Sequence, residues 1–544
     1  MAELAGLLPH DAALSDAPQP LALERDHPKA YNAFGYSGSG LCNSNGTLAW
    51  QPKEFIMCYS EADVVAAVKA ASANGSRVIT VGSGWSWSTT IASNDDNVRY
   101  IKLDGDLRSL SVDTDKQLAY CGGAACAHEL YPALQAANLE VEAHGICYTA
   151  SVSQTVAGLL ATNVHAEGLK TFYDVCASVD VVLADGNVQT APAGSELFNL
   201  TIGGAGETGV LIRATLHLAP RSSYQQHPST MYVHPLALCN LGGFSLARAA
   251  ALYLDEFGDA PAFNEKVALA NSVRGLVHST ERYEKLPAPD PAMHDLTPGW
   301  GEIEKPRFWL ARAFGNCCNW NPFCFTPCYG LATATCISVL DPTPGLLMYT
   351  FPQCGCQPLP CQERTAPKSL DLASLFPHIL YLHHNEAELY VPTDLAVAVG
   401  TLLDERMPHI CGRYLLALRF VFGCDSLTAA NANQGGGQRT DFVCLNFDEY
   451  RQSTWPTFNA DMDDLAAMLH AEFPNRIFYH PGKYNCGGHL PRHADAPAVR
   501  DKMRALDPKG MFARPAFDAS VLSRGLSAPP CCFALPQRCF TTCF

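Results

Sequence analysis

A chain of 544 residues is longer than one hydrophobic core can organise, so two or more domains are expected. Its formal net charge of -16 has the wrong sign for a phosphate-rich partner, which excludes nucleic-acid binding from the expectation. No apolar run approaches the roughly 18 residues that a membrane-spanning helix needs.

Residues 1–49 read as an irregular segment rich in Pro, Asn, Gly and Ser. Early acids and the lack of a basic start do not fit a secretory signal, and no terminal targeting tripeptide is present. A cytoplasmic or membrane-peripheral protein is therefore expected. Ordered structure begins in "EFIMCYSEADVVAAVKAASANGSRVITVGSG". Ser60 suits a helix N-cap, with Glu61 and Asp63 in the first turn. Val64, Val65, Val68 and Ala71 recur at helical spacing, and Gly75 suits the stop. "RVITV" then reads as a buried strand.

The turn "VGSGWSWS" follows: Val81, Gly82, Ser83, Gly84, Trp85, Ser86, Trp87 and Ser88. A dinucleotide fold of the Rossmann type requires G-x-G-x-x-G opening a helix. Trp87 stands at the third glycine position, and "TTIASNDDNVRY" does not read as a helix. A Walker phosphate loop is absent as well. Taken alone, Gly82-x-Gly84 is compatible with an ordinary tight turn. A second run of small residues, "GICYTASVSQTVAGLLATNVHAEG", spans 145–168. Such residues let backbone approach a ligand closely and let N–H groups meet phosphate oxygens. "ASVDVVLADGNVQT" reads as two strands about an Asp185-Gly186 turn. In the strand after "GGAGETG", Ile212, Ala214, Leu216 and Leu218 face one way; Arg213, Thr215 and His217 face the other. Two glycine-rich loops on separate strands suit one long ligand between two small α+β lobes.

Cysteine is the unusual element of the composition. Eight of the 23 lie between Cys317 and Cys361, and four end the chain in "CCFALPQRCFTTCF". These clusters lack nearby His and paired C-x-x-C spacing, so no metal site is expected of them. Disulfides and free or buried thiols both stay open.

"RVITVGSGWSWS", "SVSQTVAGLLATNVHAEG", "VVLADGNVQ" and "GETGVLIRATLHLAP" resemble, in order, the PCMH-type FAD-binding domain of the vanillyl-alcohol-oxidase superfamily. "ELYVP", "LALRFVFGCDSL", "YHPGKYNC" and "VRDKMRALDPKGMF" resemble, again in order, the substrate-domain segments of its sugar-1,4-lactone oxidases and alditol oxidases. The match covers about residues 50–515. The resemblance implies an α+β fold with a two-lobed FAD-binding domain (50–220) and an α+β substrate, or cap, domain with a large antiparallel sheet (221–515). The Cys-rich stretch 317–361 is an insertion, the chain returns to the FAD domain near 479–515, and a Cys-rich tail occupies 516–544.

The resemblance also implies FAD, held by residues 81–88 and by Cys147, Ser151, Thr155, Gly158, Thr162, Asn163, Val164, His165, Val210 and Ile212. Relatives that bond flavin covalently do so through a histidine at the position of Trp85. An indole cannot form that bond, so noncovalent FAD is expected, with Trp85 packed over the ring edge. "GICYTASV" also resembles a run of the berberine-bridge oxidases whose cysteine bonds flavin C6, which would make Cys147 an alternative attachment. Arg419, Lys483 and Glu388 match the positions of catalytic groups, Arg419 and Lys483 as cations. Ala417 departs from the pattern, because the family has a glutamate two residues before the arginine. The implied substrate is a sugar lactone or polyol, with oxygen or another electron acceptor and possible peripheral membrane contact. An oxidase of a less polar alcohol, and a flavin-binding protein without turnover, are the competing readings.

Overall fold

The computed structural model describes, with breaks of a few residues, 35–142, 154–165, 170–233, 263–285, 385–449 and 455–522, and single residues between 246 and 254 and at 359–360. Cys147, Ser151, the insertion 317–361 apart from its two residues at 359–360, and the tail beyond 522 lie outside the described residues.

The first ordered lobe is a three-stranded parallel sheet, β1 (Glu54–Cys58), β2 (Arg77–Val81) and β3 (Val98–Leu103), in the order β1-β3-β2. Helix α1 (Glu61–Asn74) joins β1 to β2 and begins where expected. Ser60 and Asp63 form a reciprocal capping box, and Gly75 ends the helix at φ 66. The face carrying Val64, Ala67, Val68 and Ala71 is buried against Val78, Ile101 and Ile212.

The second lobe is an antiparallel sheet of β4 (Leu110–Asp113), β5 (Leu118–Gly122), β6 (Cys176–Val182), β7 (Val188–Pro192) and β8 (Val210–His217), in the order β7-β6-β8-β5-β4. The hairpin between β6 and β7 turns at Asp185-Gly186, with Gly186 at φ 79 and Val182 opposite Val188. Along β8 the buried residues Ile212, Ala214 and Leu216 alternate with Arg213, Thr215 and His217. Helix α2 (Ala127–Ala136) and the short helices α3 (Val156–Ala161) and α4 (Glu196–Thr201) accompany this sheet.

The later part of the chain builds a large antiparallel sheet. Its described strands are β9 (Tyr224–His227), β10 (Thr230–Val233), β11 (Phe263–Ser272), β12 (Gly275–Lys285), β13 (Leu359–Pro360), β14 (Asn385–Pro392), β15 (Leu415–Val421), β16 (Phe442–Glu449) and β17 (Phe478–Tyr479). They run β13-β10-β12-β11-β15-β16-β14-β17, with β9 also on β12. Helices α5 (Ala396–Arg406) and α6 (Trp455–Glu472) cover one face of β14, β15 and β16. That face is apolar: Ala387, Leu389, Val391, Leu416, Leu418, Leu445 and Phe447 meet Val399, Leu403, Phe458, Met462 and Leu465.

The opposite face holds the polar residues, because side chains alternate along a strand. Register places Glu388, Asn446 and Ala417 in one cross-strand row and Tyr390, Cys444 and Arg419 in the next. Every described position of β14 and β16 is buried, although a sheet facing water on one side would alternate buried and exposed. The polar face is therefore an interior surface. It is covered by loops from the amino-terminal half: the Trp87 N–H donates to the Gly482 carbonyl at 2.9 Å, and His165 reaches Glu388. Ser426 and Thr428, beyond β15, fasten the same junction by donating to the carbonyls of Ile202 and Leu200. After α7 (Pro497–Leu506) the chain returns to the first lobe, where the Val78 N–H donates to the Met511 carbonyl. Among the described residues, no helix is long and apolar enough to cross a membrane.

Candidate active site

A cleft runs between the two amino-terminal lobes. Thr80, Val81 and Gly82 line it on one side, and Thr155, Gly158 and Ala161 on the other, so the two small-residue runs face each other as expected. Their approach is close. A Cβ at position 82 would lie 2.6 Å from Thr155 Oγ1, a contact only glycine avoids. Two buried polar atoms of cleft-lining residues, Thr80 Oγ1 and Arg514 Nη1, have no hydrogen-bond partner among the described residues.

Several expected cofactor residues are placed differently. Val210 and Ile212 point into the core, while Leu211 between them lines the cleft. The expectation had the parity of this strand reversed, since neighbouring strand residues face opposite ways. The small-residue run was read as loop, yet Thr155 caps the helix α3, and the Gly158 N–H donates to Thr155 Oγ1 at 3.1 Å. Asn163 is committed to structure. Its amide donates to Asn431 Oδ1 and accepts from the Tyr173 N–H, which joins the two halves of the chain. Thr162 Oγ1 donates to the Gly158 carbonyl, and Val164 packs on the second-lobe core.

In the turn 81–88, Gly84 adopts φ 77, Ser88 caps the Thr90 N–H, and the Ser86 hydroxyl accepts from the Ser88 N–H. Ser83, Ser88 and Trp87 are buried and Trp85 is partly buried. Trp87 is not a wall of the cleft; its ring lies under Lys483, with Nζ 4.5 Å from the centroid.

The polar sheet face carries a dense buried cluster. His165 Nε2 lies 2.5 Å from Glu388 Oε1, and both side chains are almost wholly buried. Burial opposes the charge on Glu388, but His165, His480 and Lys483 together hold its carboxyl well below the usual carboxylate range. His480 stacks on Tyr390 at 5.9 Å between ring centroids, and its Nδ1 accepts from the Gly482 N–H at 2.9 Å. That bond puts the proton of the neutral ring on Nε2. Burial lowers the His480 pKa to about 3 against the pull of Glu388, so the ring is neutral at neutral pH. Lys483 pairs with Glu386. Burial and the neighbouring Cys444 and Glu388 raise the Tyr390 pKa well above its usual value, which leaves a protonated hydroxyl.

Arg419 sits at the edge of the same face, where its charge reaches Tyr390 and Cys444. Sequence reasoning thus reached Arg419, Lys483, Glu388 and His165, but missed His480, Tyr390, Glu386 and Asn446. The readable signal for three of these was strand parity around Glu388, and for His480 the "HPGK" turn that carries Lys483. His165, Glu388 and His480 lie close enough for a shared ion, their donor atoms being within 4.8 Å of one another. The lone pair of His480 Nδ1 is already occupied by the Gly482 N–H, however, and His165 is bonded directly to Glu388. His165 hydrogen-bonds the Glu388 carboxylate, and His480 lies close to it and interacts with its charge.

The cluster sets a pH dependence. His480 titrates near 6.5 when unfolded and near 3 when folded, so in that window the unfolded chain binds the extra proton. Glu388, depressed in the folded state, adds a loss of the same sign below its unfolded value near 4.5. Stability should therefore fall as the pH drops from 6.5. Urea unfolding at pH 7.0, 6.0 and 5.0 should show a slope that His480→Gln flattens; an unchanged slope in the variant would contradict the assignment.

Comparisons with known proteins agree with the geometry of the cleft. A family model described as an FAD binding domain matches residues 52–192. A D-arabinono-1,4-lactone oxidase of Eremothecium gossypii is 29% identical over 203 residues, 34% of this chain and 36% of that protein. An L-gulono-1,4-lactone dehydrogenase of Mycobacterium tuberculosis is 28% identical over 269 residues, 49% of this chain and 56% of that protein. A D-lactate dehydrogenase of Archaeoglobus fulgidus is 30% identical over 125 residues, 21% of this chain and 27% of that protein. The chain thus spans about a quarter to somewhat over half the length of these curated relatives. The cleft fits the cofactor, since its opposed glycines admit a close backbone approach and its orphaned hydroxyl and guanidinium are donors for phosphate or ribose oxygens. Residues 52–192 are accordingly an FAD binding domain, FAD is the cofactor it takes, and the chain is similar to sugar-lactone oxidases and dehydrogenases.

Proposed function

We propose that this protein is an FAD-dependent oxidoreductase that oxidises a CH–OH group of a sugar 1,4-lactone or polyol. Residues 50–220 hold the cofactor and 221–515 present the substrate face. The carrying observation is the buried polar face of β14, β15 and β16, turned toward the amino-terminal half beside Lys483.

When bound, FAD supplies the two-electron acceptor for hydride leaving the carbinol carbon. Arg419 and Lys483 supply fixed positive charge beside the carbinol oxygen, whose proton passes to solvent water as the hydride leaves. Glu388 is a poor proton acceptor, because its carboxyl is held far down by its cationic and imidazole neighbours. Its role is to orient His165 and His480, which replaces the catalytic role expected of it. Tyr390 and His480 Nε2 present neutral donors on the same face. Asn446 lies opposite Ala417, and its buried Oδ1 has no hydrogen-bond partner among the described residues. That amide stands in for the glutamate absent at 417 as an acceptor for a substrate hydroxyl.

A less polar alcohol is the second reading, favoured by Ala417 itself. Anaerobic mixing with D-arabinono-1,4-lactone, L-gulono-1,4-lactone, xylitol and aromatic alcohols separates the two. Bleaching of the flavin band by lactone or polyol is expected, and bleaching by aromatic alcohols alone supports the second reading. No bleaching by any of them defeats both and leaves a flavin-binding protein without turnover. Oxygen, or another acceptor, then restores the band. Acid precipitation should leave the yellow colour in the supernatant, because Trp85 cannot bond the flavin; colour in the pellet would point to Cys147.

A further inference from the structure

We propose that Arg514 is a ligand of the adenosine-diphosphate half of FAD, delivered to the cofactor cleft by the carboxy-terminal end of the chain and aimed there by Glu207. Arg514 lines the cleft together with Thr80, Gly82, Thr155 and Gly209, yet lies more than 300 residues beyond the segment that the FAD binding family matches. Its Nε donates to the Ala205 carbonyl at 2.5 Å, and its backbone N–H donates to Glu207 Oε1 at 3.2 Å. Nη1 is buried and has no hydrogen-bond partner among the described residues. The side chain is thus held at one edge and left with an unsatisfied charged donor at the cleft wall.

The local charge count points to an anion. Glu207 is the carboxylate beside Arg514, and it is already paired with Arg492. Arg492's guanidinium takes up the one carboxylate, and Arg514 reaches it only through its backbone N–H, which leaves the Arg514 charge in excess. Burial, with Arg492 adding repulsion, lowers the Arg514 pKa to about 10, in keeping with a cation that its protein neighbours do not balance. A diphosphate supplies the missing charge and two or more acceptor oxygens.

Position selects the ADP half. The surrounding walls are Gly123, Ala124, Gly206 and Leu211 of the second lobe, whereas Lys483 and Trp87, beside the proposed reaction face, do not line this cleft. Gly206 is fitted to the task, since a Cβ there would lie 2.4 Å from Arg514 Nη2.

The test is flavin titration of deflavinated full-length protein, read by quenching of flavin fluorescence. Riboflavin lacks the whole adenosine-diphosphate portion and serves as the internal control. Arg514→Met should weaken FAD binding by about ten- to a hundredfold, the range for a lost charge-assisted hydrogen bond, with riboflavin affinity unchanged. Arg514→Lys should recover part of the loss. Unchanged FAD affinity overturns the proposal, and so does an equal loss for FAD and riboflavin, which signals general loosening of the fold. Wild-type protein that binds neither flavin overturns it together with the cofactor assignment itself.

Discussion

Lys483→Met should slow anaerobic flavin reduction by about a hundred- to a thousandfold, the loss typical of removing one fixed donor from developing negative charge. The ammonium lies between the Glu386 carboxylate and the face of Trp87, so its position is fixed before substrate arrives. The substitution also removes a counter-charge from a carboxylate that is only 4% exposed, which destabilises the fold. A second variant separates the two effects. Glu386→Gln with Lys483→Met removes both charges and should regain most of the stability, since neutral replacement of a buried pair is often nearly free. Reduction should stay slow in the double variant. Recovery of the rate along with stability would show that Lys483 serves only the fold.

Glu388→Ala should cost about 3–5 kcal/mol of unfolding free energy, the usual effect of removing one partner from a buried, hydrogen-bonded charged group. Glu388 is 1% exposed and gathers His165 and His480, from distant segments, around one carboxylate. Truncation leaves a cavity and strands the imidazole N–H that now meets it. Glu388→Gln keeps the shape and one acceptor, so its cost should be smaller. Denaturant titration with the flavin saturated gives both numbers. An alanine variant within about 1 kcal/mol of wild type, the ordinary size of a point substitution, would contradict the central place given to this carboxylate.

Much of the local architecture was legible because it depends on neighbours in sequence. Ser60, Asp63 and Gly75 delimit α1 through bonds within one or two turns. The Asp185-Gly186 hairpin and the alternation along β8 likewise need only a few adjacent residues. Helix α3 was missed because six residues are too few to show a period, and its small side chains look like a loop. The facing of Val210 and Ile212 was missed because alternation reveals two faces but not which one meets the ligand.

The amino-acid sequence by itself determined the two glycine-rich runs, the order of the FAD-binding segments, the placement of Arg419 and Glu388 in strands and that of Lys483 in the turn after His480. Only the tertiary structure decided that His165 meets Glu388 across 223 residues, that His480 is a neutral donor, and that Arg514 returns to the cofactor cleft. The physical reason is range. Caps, turns and strand alternation are set by bonds a few residues long, whereas the charge state of a buried group depends on which distant groups share its low-dielectric surroundings.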